Sequence, residues 1–222
     1  MPDYKEKTRL LIAELKIKYP DFDIKFKNED KFMQTIGKVV GIFNRSFMTR
    51  FTTVLGYTVY FPSREWMEAD WRKVFYVLAH ESIHIANHAK SPIKHVLGYS
   101  FPQNLAPLAL LSFLAFIHPA FLTFLVFLLA LGPWPAPFRV KEEILGYGMN
   151  CKLDAWQGYK RTDYDLEQIA KNVCSWNYYN PLHPWKSMRD DLKRFTKLND
   201  AVLPDGYEIV KRVFFINYYE NL

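Results

Sequence analysis

At 222 residues, half of them apolar and 17% aromatic, the chain can bury one core of ordinary domain size, which excludes a disordered tail. The formal charge of +6 comes from basic residues scattered among acids; with no nucleic-acid-binding signature present, nucleic acid is not an expected partner. Cys151 and Cys174 stand alone without a Cys-x-x-Cys pair, which excludes a disulfide framework and reads as two small buried residues in a reducing compartment.

The N-terminal stretch carries charges throughout and no apolar h-region, so no cleavable secretory signal is expected and the chain starts in the cytosol. From Lys5 to Tyr19, Leu10, Leu11, Leu15 and Ile17 recur among charges at helical spacing, which predicts an amphipathic helix stopped at Pro20. Asp23 to Lys27 alternates like a strand. Phe51 to Pro62 is β-branched and aromatic, with Gly56 as a turn and Pro62 as a stop, and predicts two short strands or one bent hairpin. Ser63 and Asp70 are helix caps, and a helix from about Trp71 runs through the stretch YVLAHESIHIANHAK. Residues 141–156, 163–173 and 186–198 also read as helices. No repeat or flexible linker divides the chain, so residues 1–222 are expected to form a single domain, α+β and mostly helical.

His80, Glu81 and His84 form His-Glu-x-x-His. Residues four apart share a helix face, so both imidazoles can reach one zinc about 2 Å away. Glu81, one step round, can take the proton of a water whose pKa the metal lowers, and so complete attack on a peptide carbonyl. The five-residue pattern also arises by chance; its place after a strand signal and on an apolar helix is what points to a metal.

A third ligand is needed. His88 fails on geometry, because eight residues of helix put it about 12 Å along the axis from His80. It reads as a surface or supporting residue. A third histidine six residues after His84 would stand at position 90, which is Lys90. A carboxylate on a later helix remains, and Glu142 and Glu143 supply two. Glu143 is favoured on packing grounds, since Gly146 three residues on would let its helix approach the histidine helix closely. The other acid reads as a solvated helix start.

Between Lys94 and Arg139 no Asp, Glu, Lys or Arg occurs. As one helix, Leu105 to Leu131 would reach about 40 Å, enough to cross a bilayer. Zinc shared by His84 and Glu143 requires the chain to leave and return on the same side, and positive flanks at Lys90, Lys94, Arg139 and Lys141 agree. The expectation is therefore a hydrophobic helical hairpin over residues 99–138, turning at His118-Pro119, that enters one leaflet deeply or barely crosses as a transmembrane hairpin, its arms of about 13 residues reaching only about 20 Å; a buried core hairpin is the alternative.

These features in order resemble the integral-membrane gluzincin metalloproteases, the group of the CAAX prenyl protease and the bacterial heat-shock membrane protease. The likeness rests on His80-Glu81-x-x-His84, a hydrophobic hairpin followed by Glu143, and HPWKSMR, with His183-Pro184 and Arg189. It covers roughly residues 50 to 195. The resemblance implies a minimal zincin-like domain in which His183 and Arg189 stabilise the oxyanion of the tetrahedral intermediate. It also maps the edge strand that binds an extended substrate to GYTVYFP. The family's supporting aspartate, four residues after the ligand glutamate, is replaced by Tyr147, whose hydroxyl could donate to a ligand or to the oxyanion. The family's larger members carry membrane helices before the zinc motif, and this chain has none there.

The functional expectation is a membrane-associated zinc endopeptidase acting on polypeptide substrates. It would hold one zinc per chain on His80, His84 and Glu143, with Glu81 as general base and the site at the cytoplasmic face of a lipid bilayer. The alternative is a membrane-inserting or scaffold protein whose zinc site is structural or vestigial.

Overall fold

In a computed structural model, the structure describes residues 2–41, 44–178, 180–198, 203 and 206–219, without the side chains of 39, 177 and 217–219. The elements in chain order are α1 (Tyr4–Lys18), β1 (Asp23–Phe26), α2 (Lys31–Val40), β2 (Thr53–Leu55), β3 (Thr58–Phe61), α3 (Arg64–Ala69), α4 (Trp71–Lys90) and α5 (Pro92–Ser100). Two 3-10 helices follow, Gln103–Phe116 and Pro119–Leu131, then α6 (Pro137–Trp156), α7 (Asp163–Val173), a 3-10 turn at Trp176–Tyr178, α8 (Trp185–Thr196) and α9 (Tyr207–Tyr219). The described chain is mostly helical with one small mixed sheet, an α+β arrangement.

It forms two compact units. The first comprises Met1–Pro92, Leu145–Arg161 and Phe195–Leu222; the second comprises Ile93–Ile144 and Thr162–Arg194.

Helix starts in the first unit follow side-chain chemistry. Asp3 accepts from the amides of Lys5 and Glu6 to open α1. Ser63 accepts from Trp66 N at 3.2 Å to open α3, and Asp70 accepts from Lys73 N at 3.0 Å to open α4. Each satisfies an amide that the first turn leaves without a helical partner. Along α4 the apolar stripe Val74, Phe75, Leu78, Ala79, Ile83 and Ala86 is buried at helical spacing. Leu11 and Leu15 of α1 and Val210 and Val213 of α9 belong to the same unit's core. The Lys7 ammonium donates to the carbonyls of Val213 (3.3 Å) and Phe214 (2.6 Å), fastening α1 to α9.

The sheet order is β1-β3-β2. β2 and β3 form the expected hairpin, with Val54 opposite Val59, and Gly56 takes a φ of 61° in its two-residue loop, where a side chain would be strained. β1 pairs parallel with β3, Ile24 opposite Val59. That pairing corrects the assignment of GYTVYFP to an edge strand: β3 is central, hydrogen-bonded on both sides, and the sheet's edges are β1 and β2.

In the second unit, Arg139 is a buried hub. Its guanidinium donates to the carbonyls of Tyr99 and Tyr178 and to Gln103 Oε1, at 3.1, 2.9 and 3.1 Å. Asn180, fully buried, accepts from Ala136 N at 3.1 Å. Leu166, Ala170, Val173, Met188 and Leu192 supply the apolar core between α7 and α8.

The uncharged stretch departs from expectation. It is divided into 3-10 helices of 14 and 13 residues, which pack against each other. Among the described residues no helix is long and apolar enough to cross a membrane. The expected membrane-inserted, transmembrane hairpin over 99–138 is therefore corrected. The physical reason is continuity: a spanning α-helix needs about 17–25 apolar residues in one run. Pro102, Pro107, Pro119, Pro133 and Pro135 interrupt this one by removing amide donors. A buried core hairpin does not describe it either, for Phe113 and Phe116 are 74% and 83% exposed.

Lys27, directly after β1, is fully buried. Its ammonium donates to the Phe47 carbonyl at 2.8 Å and lies 3.8 Å from that residue's ring centre. Burial pushes its pKa from 10.5 down to about 7, with the Glu81 charge acting the other way. Between those two values the unfolded chain holds a proton that the folded chain has released, so folding stability rises with pH across that window. Below it the folded state bears the full cost of a buried cation. Denaturant unfolding at pH about 6.5 and about 9.5 should show a stability gain in the wild type that Lys27→Met reduces; an equal gain in both would assign it to another group.

Candidate metal centre

His80 and His84 occupy successive turns of α4, four residues apart on one face, and are 8% and 6% exposed. Their Nε2 atoms lie 3.0 Å apart, with the rings inclined at 66°. Glu81 stands beside them, half-buried, and the ligand atoms of His80, Glu81 and His84 all lie within 4.8 Å of one another. Two imidazoles on a tetrahedral zinc, each bound at about 2.0–2.1 Å, place their nitrogens about 3.3 Å apart. The observed pair needs only a few tenths of an ångström of adjustment to meet that spacing, so these residues fit a divalent metal.

Neighbours in the same unit close round His80. The ring of Tyr147 meets it edge-to-face at 4.8 Å and 83°. Gly146 gives the close approach expected of it: a Cβ there would lie 2.5 to 2.7 Å from three atoms of the His80 ring. One turn earlier on α4, the Tyr76 hydroxyl donates to Asp154 Oδ1 of α6 at 2.6 Å, and Arg161 Nε donates to Asp154 Oδ2 at 2.6 Å. The part-buried Tyr76–Asp154 bond joins the same two helices at a second point. Burial and the Asp154 carboxylate push the Tyr76 hydroxyl up to about 12.

The remaining sequence candidates are placed as follows. His88 is half-buried and packs edge-on against Tyr57 at 5.2 Å, beside the β2–β3 turn and outside the metal-ready group, as helix geometry required. Glu143 and Glu142 belong to the second unit. Glu143 is 2% exposed, and its Oε1 accepts from the Tyr99 hydroxyl at 2.8 Å. Glu142 Oε2 lies 3.7 Å from His95 Nδ1. The two acids thus divide, one deeply buried and one paired with a histidine. His183, in the same unit, is half-buried, and burial lowers its pKa against the opposing charge of Asp191. Arg189 is engaged locally, donating to Asp190 Oδ1 at 3.0 and 2.7 Å and lying 5.9 Å from the Trp185 ring.

Two residues were missed by sequence reasoning. Lys27, whose charge acts on Glu81, sits in an alternating strand pattern that gives a lysine no inward signal. Tyr99 lies in an uncharged run where one hydroxyl is easily read as part of an apolar helix.

Comparisons with protein-family models, curated proteins and solved structures give no match.

Removing the Tyr99 hydroxyl strips a donor from a buried carboxylate. Tyr99→Phe should lower stability by about 1–3 kcal/mol in chemical denaturation. A change within about 0.3 kcal/mol would show that this bond contributes nothing net.

Proposed function

We propose that the chain is a zinc-dependent endopeptidase whose reaction centre is built on His80, Glu81 and His84 in a zincin-like arrangement. The observation that supports this reading is the convergence of the two Nε2 atoms, 3.0 Å apart, with the Glu81 carboxylate within reach of both. His80 and His84 would hold the zinc, which when bound would supply Lewis-acid polarisation of the scissile carbonyl and a lowered pKa for water. Glu81 accepts the water's proton and passes it to the leaving amine. Its position one residue past His80 keeps the carboxylate beside the ligands while its half-buried setting leaves it a path to substrate.

An extended polypeptide would find backbone partners along β2, the edge strand that packs against α4. This moves the expected peptide-binding edge one strand outward from β3. The family resemblance assigns the third ligand to Glu143 and oxyanion stabilisation to His183 and Arg189. The choice of Glu143 over Glu142 rests also on Gly146, the small residue three positions on, and metal content of Glu143→Gln tests it.

The experiment is metal content combined with hydrolysis of an unfolded casein-like substrate. Wild type should carry about one zinc per chain. Glu81→Gln should retain that zinc and lose about a hundredfold or more of the activity. No hydrolysis in wild type, or hydrolysis unchanged in Glu81→Gln, would overturn the endopeptidase reading, and zinc retained without hydrolysis would assign the metal a structural role.

A further inference from the structure

We propose that Gly146 and Tyr147 form a slot that fixes the plane of the His80 imidazole, so that Tyr147 is a positioning residue acting through its ring. The inference rests on His80 and His84 holding a metal, and names what gives that pair its geometry.

The χ2 torsion of histidine is broad, so the orientation of an imidazole on a helix is set by what packs against it rather than by rotamer preference. Helix α4 by itself gives His80 and His84 a common face and nothing more. The neighbours of His80 in its own unit supply the rest. Its nitrogen faces His84 Nε2 at 3.0 Å. The Tyr147 ring stands perpendicular to it, 83° between planes and 4.8 Å between centres. The backbone of α6 passes close enough at Gly146 that a methyl group would come within 2.5 Å of Nε2, 2.6 Å of Cε1 and 2.7 Å of Cδ2. Those distances are well inside van der Waals contact, so any side chain at 146 must displace the ring. With the residue only 8% exposed, the ring has little room to tilt away and keep its nitrogen on the same point.

The slot gives Tyr147 a different role from a hydroxyl donor. An edge-to-face contact needs the aromatic ring and is indifferent to the oxygen. Ligand orientation by neighbouring groups changes metal affinity by about 10–100-fold.

The test measures zinc affinity of the full chain by competition with a chelating dye, with circular dichroism and melting recorded for each variant. Tyr147→Ala should weaken zinc binding by about tenfold or more while the fold is kept, and Tyr147→Phe should bind within about twofold of wild type. Gly146→Ala should weaken binding as well; if that variant does not fold, the tyrosine pair decides. Wild-type affinity in Tyr147→Ala overturns the slot, and so does a loss in Tyr147→Phe equal to that in Tyr147→Ala, which would assign the effect to the hydroxyl. His80→Ala separates the two levels: if it binds zinc as tightly as wild type, the metal site itself is wrong and not only the slot.

Discussion

Two imidazole nitrogens held 3.0 Å apart in a water-poor interior place a condition on every group around them. Either one ring donates its N–H to the other, or both turn their lone pairs towards a cation between them. The helix supplies the spacing at no cost in strain, because residues 80 and 84 fall on one face by the 3.6-residue period. It does not supply the dryness or the ring orientation. Those come from the packing that buries both histidines, and from the side-chain-free approach of α6 to His80 at Gly146.

The packing of the first unit can be read as the means of meeting that condition. Asp70 starts α4 at a defined residue, which sets the rotational phase of both histidines. Tyr76 joins α4 to α6 by a charge-assisted bond to Asp154, stronger than a neutral one, and Arg161, from the loop after α6, holds that carboxylate in place. Lys27 is the exception: a fully buried cation costs stability, partly offset by the Phe47 carbonyl, the Phe47 ring and the Glu81 charge.

What was legible in the sequence was local. The cap at Asp70, the β2–β3 hairpin with Gly56 at its loop, the helices at 141–156 and 163–173, and the small residue at 146 each carry their signal within a few residues. Helix α2 went unread because Gly37 interrupts its apolar residues and two valines end it, and α9 because aromatic residues suit a strand as well as a helix. The parallel pairing of β1 with β3 joins Asp23 to Thr58 across helix α2, and nothing in either strand names its partner. The family resemblance maps the edge strand to β3, and no local signal in β1 opposes it. The uncharged stretch was misread for another reason: hydropathy records how apolar a run is, while its backbone form depends on where prolines withhold donors. Contacts such as Tyr99 with Glu143 join residues 44 apart and follow only from the packing of α5 on α6.

The proposed chemistry requires His80 and His84 to ligate one zinc jointly. X-ray absorption at the zinc edge on the purified full chain tests it most directly. Joint ligation gives a nitrogen and oxygen shell at about 2.0–2.1 Å with the multiple scattering of two imidazoles, reduced to one in His84→Ala. A sulfur shell at about 2.3 Å, which only Cys151, Cys174 or a methionine could provide, or an imidazole signal unchanged in His84→Ala, would contradict it.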